Sequence, residues 1–290
     1  MNELPTFKIR CSAIGTIMTA PRGKSMAEKI AELAGKMQTA TERHDALKPG
    51  LKSKEALQGR ILKMQEELAS MLPYKDAPNL SASCISYLQK WCNETLYGRK
   101  KEFTSKQTDK GNLVEEDAIL YASGHVIDMG LCSKNEEHFI GEYMHGTPDV
   151  LTENYVFDIK SAWDHDTFPL HSPEIPTEDY VWQVKGYMHL TGRRMARVVY
   201  VLMSMPDEML YREARWKLGQ EFTKEEFDEW AKMYRYDELP PCLRIKEFEV
   251  VWNEDDIAAI EKRVKECRQY IEDVIKPELQ KNVRRYGDDE

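Results

Sequence analysis

Two carboxylates and a lysine lie close together in the chain, with the residue types and spacing of a metal-dependent hydrolytic site. Residues 146–149 (GTPD) predict a tight turn that presents Asp149, and the triplet Asp158-Ile159-Lys160 follows after eight intervening residues. Residues 155–160 are typical of a strand, so Asp158 and Lys160 share one face and Ile159 points to the other. Such a set suits a divalent cation with oxygen ligands, beside an ammonium that orients a water molecule. Taken alone, these residues are equally typical of an ordinary surface turn and strand.

Two predicted helices accompany this pair of motifs. Residues 180–190 have apolar residues at helical spacing, and Gln183 and Tyr187 lie four apart, which puts them on one face. Residues 111–122 also predict a helix, in which Glu115 borders the apolar stripe and is expected to point inward. A glutamate exposed to solvent on a helix is the alternative interpretation of Glu115.

The rest of the pattern predicts the elements that must position these residues. Strands are expected at residues 125–130, 139–145, 195–203 and 244–252. Helices are expected at residues 25–72, with a break at 48–50, and at 80–97, 207–236 and 254–274.

The order and content of these motifs resemble the PD-(D/E)XK nuclease superfamily, and within it the branch of phage lambda exonuclease and the YqaJ-type viral recombinases. The resemblance implies an α/β fold with a restriction-endonuclease-like core, in which helices flank a mixed central sheet. It implies one elaborated nuclease domain over residues 1–290. In that domain a helical insertion (25–97) precedes the catalytic core (111–205), and a helix and strand extension (206–290) follows it.

The same resemblance implies a catalytic role for four side chains and a cofactor, Mg²⁺ or Mn²⁺. Asp149 and Asp158 would be direct metal ligands, together with the carbonyl of Ile159. Glu115 would bind a second ion or a coordinated water molecule. Lys160 would orient and polarise the nucleophilic water.

A substrate pocket is implied by further matches to the same branch. The N-terminal segment around Ser12 resembles the family's entry segment, in which a serine helps to hold a 5′ phosphate. By that resemblance Ser12, Thr147 and Gln183 would cradle a terminal phosphate, together with Arg10. Tyr187 would support the contact that Gln183 makes.

The implied function is a DNA exonuclease that hydrolyses phosphodiester bonds from duplex ends, 5′→3′, in phage-type recombination or DNA repair. A single-strand annealing protein is the implied partner, and a ring-shaped homo-oligomer, a trimer, is the implied assembly. The alternatives are an endonuclease of the same superfamily and a DNA-binding protein that has lost catalysis.

Composition bounds these expectations. The six cysteines form no CxxC pair, which argues against zinc, disulfide frameworks and a cysteine-ligated iron–sulfur cluster. No apolar run is long enough for a membrane span, and the N-terminus lacks a signal-peptide core, so the cytoplasm of a bacterial or phage-infected cell is expected.

The formal net charge of -9 is unusual for a DNA enzyme, because Lys and Arg usually supply the phosphate contacts. Basic residues nevertheless cluster beside the motifs, where they are candidates for DNA contacts: residues 99–101 with Lys106 and Lys110; Arg193, Arg194 and Arg197; and Arg22 and Lys24. A solvated charged surface is the alternative interpretation of each cluster.

Overall fold

The structure is a computed structural model that describes residues 4–101 and 105–286. Its helices are α1 (Ile14–Met18), α2 (Met26–Ala46), α3 (Lys52–Met71), α4 (Ala82–Tyr97), α5 (Lys106–Ser123), α6 (Glu178–Thr191), α7 (Asp207–Lys217), α8 (Lys224–Ala231), α9 (Glu254–Tyr270) and α10 (Lys276–Tyr286). Its strands are β1 (Ile9–Arg10), β2 (Phe139–Ile140), β3 (Met144–Gly146), β4 (Val150–Leu151), β5 (Tyr155–Ser161), β6 (Met195–Val201) and β7 (Ile245–Val251). No helix within the described ranges is long and apolar enough to span a membrane.

The described residues fall into two compact units. One is helical and combines residues 4–7, 17–98 and 262–286, and the other combines residues 8–16, 99–101 and 105–261 and carries the sheets. In the helical unit, a capping box between Ser25 and Glu28 begins α2. Gly50, with φ +81°, lies between α2 and α3, as the predicted break requires.

The second unit contains a four-stranded mixed sheet in the order β4-β5-β6-β7. Strands β5 and β6 are parallel, with Asp158 opposite Val198 and Lys160 opposite Tyr200, and the outer pairs are antiparallel. A smaller sheet has the order β1-β3-β2. With α5 and α6 packed on the larger sheet, the predicted α/β class, a mixed sheet flanked by helices, is confirmed.

An apolar cluster fixes α5 on one face of the sheet. Its buried members come from the helix, from the turn after it and from three strands: Ala118, Ile119, Ala122, Val126, Met129, Val150, Phe157, Ile159, Val199 and Val201. Because β5 alternates its side chains, Phe157 and Ile159 enter this cluster while Asp158 and Lys160 point to the opposite face. Helix α6, whose Val184 and Met188 are fully buried, packs on the sheet as well.

The prediction of a strand at residues 125–130 is wrong. The chain turns there, with Asp128 at φ 69° and Gly130 at φ 63°, conformations that an extended strand does not contain. The buried Val126 and Met129 cover the apolar cluster from this turn. The strand predicted at 139–145 is two short strands, β2 and β3, which pair antiparallel.

Two basic residues that were candidates for DNA contacts bind groups of the protein itself. Lys110 is buried and donates hydrogen bonds to the carbonyls of Ala162, Trp163 and Met203, at 2.9, 2.8 and 2.7 Å. Burial lowers its pKa to about 8. Arg197 forms ion pairs across the sheet, at 2.9 Å with Asp128 and at 3.1 Å with Glu247.

The N-terminal segment packs very closely on α6. A Cβ added at Gly15 would lie 2.8 Å from the Cα of Asp179, and one added at Gly186 would lie 2.5 Å from Cδ1 of Ile14. Both distances are shorter than carbon atoms tolerate, so the approach depends on glycine at these two positions. This packing brings Cys11 and the residues around it against α6.

We therefore expect Gly15→Ala to destabilise the protein by about 1–3 kcal/mol, the usual cost of overpacking. Gly111→Ala is the matched control, because Gly111 lies inside α5 with no atom within 4 Å of an added Cβ. That substitution should be neutral or stabilising, by up to about 1 kcal/mol. Urea unfolding midpoints measure both effects, and equal midpoints for the two variants would contradict the packing argument.

Candidate active site

The charged face of β5 forms the floor of the candidate site. Asp158 is fully buried, and the Lys160 side chain is 21% exposed. Lys160 Nζ lies 2.8 Å from Asp158 Oδ2, and the ring of Tyr180 on α6 covers the ammonium, with 4.6 Å between Nζ and the ring centroid. The ammonium is therefore held between a carboxylate and an aromatic face.

Asp149 reaches the same place from the turn before β4. Its Oδ2 accepts a hydrogen bond of 2.7 Å from the amide of Ile159. The antiparallel pairing of β4 with β5, which sets Val150 opposite Phe157, brings the turn to that amide. Asn135 fixes the turn from outside, since its backbone amide donates to the Asp149 carbonyl at 2.7 Å and its side chain donates to the Pro148 carbonyl at 3.0 Å.

Gln183 and Tyr187 connect α6 to this floor. The Nε2 atom of Gln183 donates to Asp158 Oδ1 at 2.9 Å and to the Tyr187 hydroxyl at 3.1 Å. Both side chains are buried. The helical spacing that puts them on one face therefore serves a direct contact with the carboxylate of Asp158.

Glu115 faces the site from α5 and is ion-paired with Lys134. It lines the same cavity as Asp149, whereas its neighbour Glu116 lines a different one. Within residues 4–101 and 105–286, no three His, Cys, Asp or Glu side chains are grouped closely enough to hold a metal ion as they stand. Two of the predicted acids, Asp149 and Asp158, lie together at β5. The third, Glu115, is ion-paired with Lys134.

The electrostatics of this group fit a hard divalent cation. Burial, and next the charge of Asp158, raise the pKa of Asp149 to about 7. Burial also raises the pKa of Asp158. Burial lowers the pKa of Lys160, but attraction to the two carboxylates outweighs it and leaves this pKa above its usual value.

One oxygen of the pair is left without a regular hydrogen bond. Asp158 Oδ2 is fully buried and accepts no hydrogen bond of good geometry from the described residues, although the Lys160 ammonium is close to it. A buried carboxylate oxygen in this position carries an electrostatic cost that an oxygen-coordinated cation would remove. Asp149 and Asp158 therefore have the donor chemistry that Mg²⁺ or Mn²⁺ requires.

A cavity of about 520 Å³ opens beside these carboxylates. All five residues predicted to bind substrate line it: Arg10, Ser12, Thr147, Gln183 and Tyr187. Parallel pairing of β1 with β3 sets Arg10 opposite His145 and brings the N-terminal segment to the cavity. At Gly146 an added Cβ would lie 2.7 Å from Cε1 of Tyr187, so glycine lets β3 approach α6.

The cavity is also lined by Lys100 and His145, and by three residues that the sequence pattern did not mark: Lys134, Asn135 and His138. Lys100 belongs to the basic run at 99–101, and its position just before α5 was the available signal. Residues 131–138 lie outside helices and strands, so no periodicity marks Lys134, Asn135 or His138.

Comparison with known proteins bears on the fold. No family model and no curated protein sequence matches the chain. A solved structure, the phage-related exonuclease from Haemophilus somnus 129PT, aligns over 95% of this chain and 97% of its own, with 19% sequence identity and a TM-score of 0.60. The alkaline exonuclease from Laribacter hongkongensis aligns over 70% of this chain and 87% of its own, with 17% identity and a TM-score of 0.48.

The likeness to the Haemophilus somnus protein establishes a shared fold across nearly the whole chain. The chain has the fold of a phage-related exonuclease. The fold that the sequence analysis predicted is thereby confirmed.

We expect Mg²⁺ or Mn²⁺ to raise the unfolding temperature of the protein, since the cation relieves the repulsion between Asp149 and Asp158. A metal concentration about 100 times the dissociation constant stabilises a folded protein by about 2.7 kcal/mol. Asp149→Asn combined with Asp158→Asn should abolish this stabilisation. Glu153→Gln, an exposed change in the turn between β4 and β5, is the control and should retain it. An undiminished metal effect in the double variant would place the cation elsewhere.

Proposed function

We propose that this protein is a metal-dependent deoxyribonuclease that removes nucleotides from the ends of duplex DNA, 5′→3′. The observation that carries the proposal is the grouping of Asp149 with Asp158 and Lys160 of β5, next to a cavity that Asp149 lines, in a chain with the fold of a phage-related exonuclease. Fold alone does not define chemistry, so the argument depends on what these side chains can do together.

The metal would be held by the carboxylates of Asp149 and Asp158 and by the carbonyl of Ile159, with Glu115 taking a second ion or a coordinated water molecule. When bound, Mg²⁺ or Mn²⁺ supplies a more acidic water and neutralises charge on the phosphate. To reach this position, Glu115 has to exchange its contact with Lys134 for the metal site. The exchange leaves the Lys134 ammonium at the cavity, where a DNA phosphate is a suitable counter-ion.

Lys160 has the position of the group that orients the nucleophilic water. Its ammonium is fixed by Asp158 and by the ring of Tyr180, so it needs little reorganisation during the reaction. The attraction of two carboxylates keeps it protonated. A protonated Lys160 donates to the water and stabilises the negative charge that develops on the phosphate.

Arg10, Ser12, Thr147 and Gln183 would bind the terminal phosphate in the cavity. The Nε2 atom of Gln183 donates hydrogen bonds to Asp158 and to Tyr187. In the proposed complex, a phosphate oxygen accepts one of these hydrogen bonds, and the Tyr187 hydroxyl keeps the amide in place. Hydroxyl and amide donors bind phosphate without adding charge, which suits a protein with a net charge of -9.

The proposal extends to the setting in which the protein acts. It is a nuclease of phage-type recombination in the cytoplasm of a bacterial or phage-infected cell, and its partner is a single-strand annealing protein. A ring-shaped homotrimer would keep an acidic enzyme on DNA, because enclosure does not depend on strong electrostatic attraction.

Catalysis should depend on the carboxylates and the lysine. We expect Asp149→Ala, Asp158→Ala and Lys160→Ala each to lose at least about 100-fold in kcat, on the scale of one electrostatic catalytic group. The assay is Mg²⁺-dependent hydrolysis of linear duplex DNA. Glu115→Gln should be much more damaging than the adjacent control Glu116→Gln. Near-native hydrolysis by folded Asp158→Ala protein would refute the assignment.

The enzyme should require DNA ends and prefer a 5′ phosphate. The donors that line the cavity favour an anionic end, so a linear duplex with 5′ phosphates should be degraded faster than the same duplex with 5′ hydroxyls. A covalently closed circle should resist. Equal rates on both linear duplexes would remove the phosphate pocket from the proposal, and ready cleavage of the circle would indicate an endonuclease.

A further inference from the structure

Two histidines on the cavity wall have no part in the chemistry described above. His138 lies just before β2 and His145 lies in β3. His138 Nε2 is 3.2 Å from His145 Nδ1, and the two rings meet edge to face with 5.2 Å between their centroids. On its other side, His138 Nδ1 is 2.9 Å from Thr147 Oγ1. The three side chains form a continuous line of polar contacts that ends at a hydroxyl in the cavity.

The direction of the hydrogen bonds along this line decides whether the Thr147 hydroxyl can donate a hydrogen bond into the cavity. A neutral imidazole carries one N–H group and one acceptor nitrogen. If His145 donates to His138 Nε2, the proton of His138 is on Nδ1 and is donated to Thr147 Oγ1. The Thr147 proton is then available to the cavity. In the reverse direction Thr147 donates to His138 and offers no proton to an anion.

An anion in the cavity selects the first direction. A phosphate oxygen only accepts hydrogen bonds, so it requires the Thr147 hydroxyl to be a donor. The surroundings of the histidines are mainly cationic. Burial, and next the neighbouring His138, Arg10, Lys8 and Lys100, lower the pKa of His145, which favours its neutral form. Lys134, Glu115 and Asp149 are the other charged groups that line the cavity.

We infer that His138 is a positioning residue for the terminal phosphate: it acts through Thr147, which it sets as a hydrogen-bond donor to the anion. His145 supports it by fixing its tautomer. The inference rests on the proposed function, because the anion is the phosphate of a DNA end. It would make the protein selective for 5′-phosphate ends. A phosphate oxygen can only accept a hydrogen bond from Thr147, whereas a 5′ hydroxyl can donate or accept one.

The first test compares matched linear duplexes with 5′-phosphate and 5′-hydroxyl ends. His138→Leu should reduce the preference for the phosphate end by about tenfold, the usual effect of one hydrogen bond to a charged group. The reduction should fall on KM for the phosphorylated duplex, and hydrolysis of the hydroxyl duplex should change by a much smaller factor. His171→Leu, which removes an exposed imidazole from the loop after β5, is the control and should change neither value.

Two conservative variants separate the nitrogens of His138. The amide nitrogen of His138→Asn can take the place of Nδ1 beside Thr147, so this variant should retain most of the preference. The amide of His138→Gln lies near the position of Nε2, so this variant should lose the preference although its side chain is similar in size. The opposite ranking of Asn and Gln would overturn the inference.

A double-mutant cycle shows whether His138 acts through Thr147. Thr147→Val keeps the shape of the side chain and removes the hydroxyl, and it should by itself lower the preference for the phosphate end. Adding His138→Leu to Thr147→Val should change the preference by less than about twofold, because the two residues act as one unit. Additive losses, or equal losses on both duplexes, would indicate a merely structural role and overturn the inference.

Equilibrium binding keeps this result separate from the proposed activity. Fluorescence anisotropy of the same two duplexes, without added metal, should show tighter binding of the phosphorylated end by the unmodified protein and loss of this difference in His138→Leu. A protein that hydrolyses no DNA refutes the proposed function, and the binding data then decide the role of His138. An equal phosphate preference in His138→Leu and in the unmodified protein overturns that role.

Discussion

The site depends on charged groups that are brought together at β5: Asp158 and Lys160 on one face of the strand, and Asp149 from the turn before β4. Asp158 has no solvent exposure, Asp149 accepts a hydrogen bond from the neighbouring amide of Ile159, and burial opposes ionisation of both carboxylates. The ammonium of Lys160, the amide of Ile159 and the side chain of Gln183 offset this cost in part. One oxygen of Asp158 remains without a regular hydrogen bond. The two carboxylates therefore keep an electrostatic cost that their contacts with the protein offset only in part.

The apolar face of β5 holds the strand in the register that keeps these charged groups together. Phe157 and Ile159 belong to the apolar cluster that fixes α5, so β5 cannot shift by one residue without exchanging its apolar and charged faces. Lys110 strengthens the same region by binding three backbone carbonyls at the ends of β5 and β6. Charged residues at the site are thus positioned by apolar packing on the far side of the sheet.

The substrate side of the site is built from segments that are distant in the chain. Residues 10–12 reach the cavity through the pairing of β1 with β3 and through the close packing at Gly15 and Gly186. The turn at Thr147 approaches α6 because Gly146 has no Cβ. A shift in any of these contacts alters the cavity without changing a catalytic side chain. Because of this separation, the proposed phosphate pocket and the proposed metal site can be tested by different variants.

Residue types and local spacing marked the acids, the lysine and the glutamine helix, because each of these motifs lies within one short segment, and the resemblance that those motifs carry implied the α/β class. The sequence-based prediction was wrong where spacing was ambiguous: residues 125–130 have strand-like composition, but positive φ values at Asp128 and Gly130 turn the chain. The sequence analysis also placed Lys110 among the candidates for DNA contacts, although its side chain is buried. Only the tertiary structure determined that Gln183 binds Asp158, that Glu115 pairs with Lys134, and that His138 joins His145 to Thr147. These contacts join different elements, and their partners are set by strand register and helix packing, which spacing within an element does not specify.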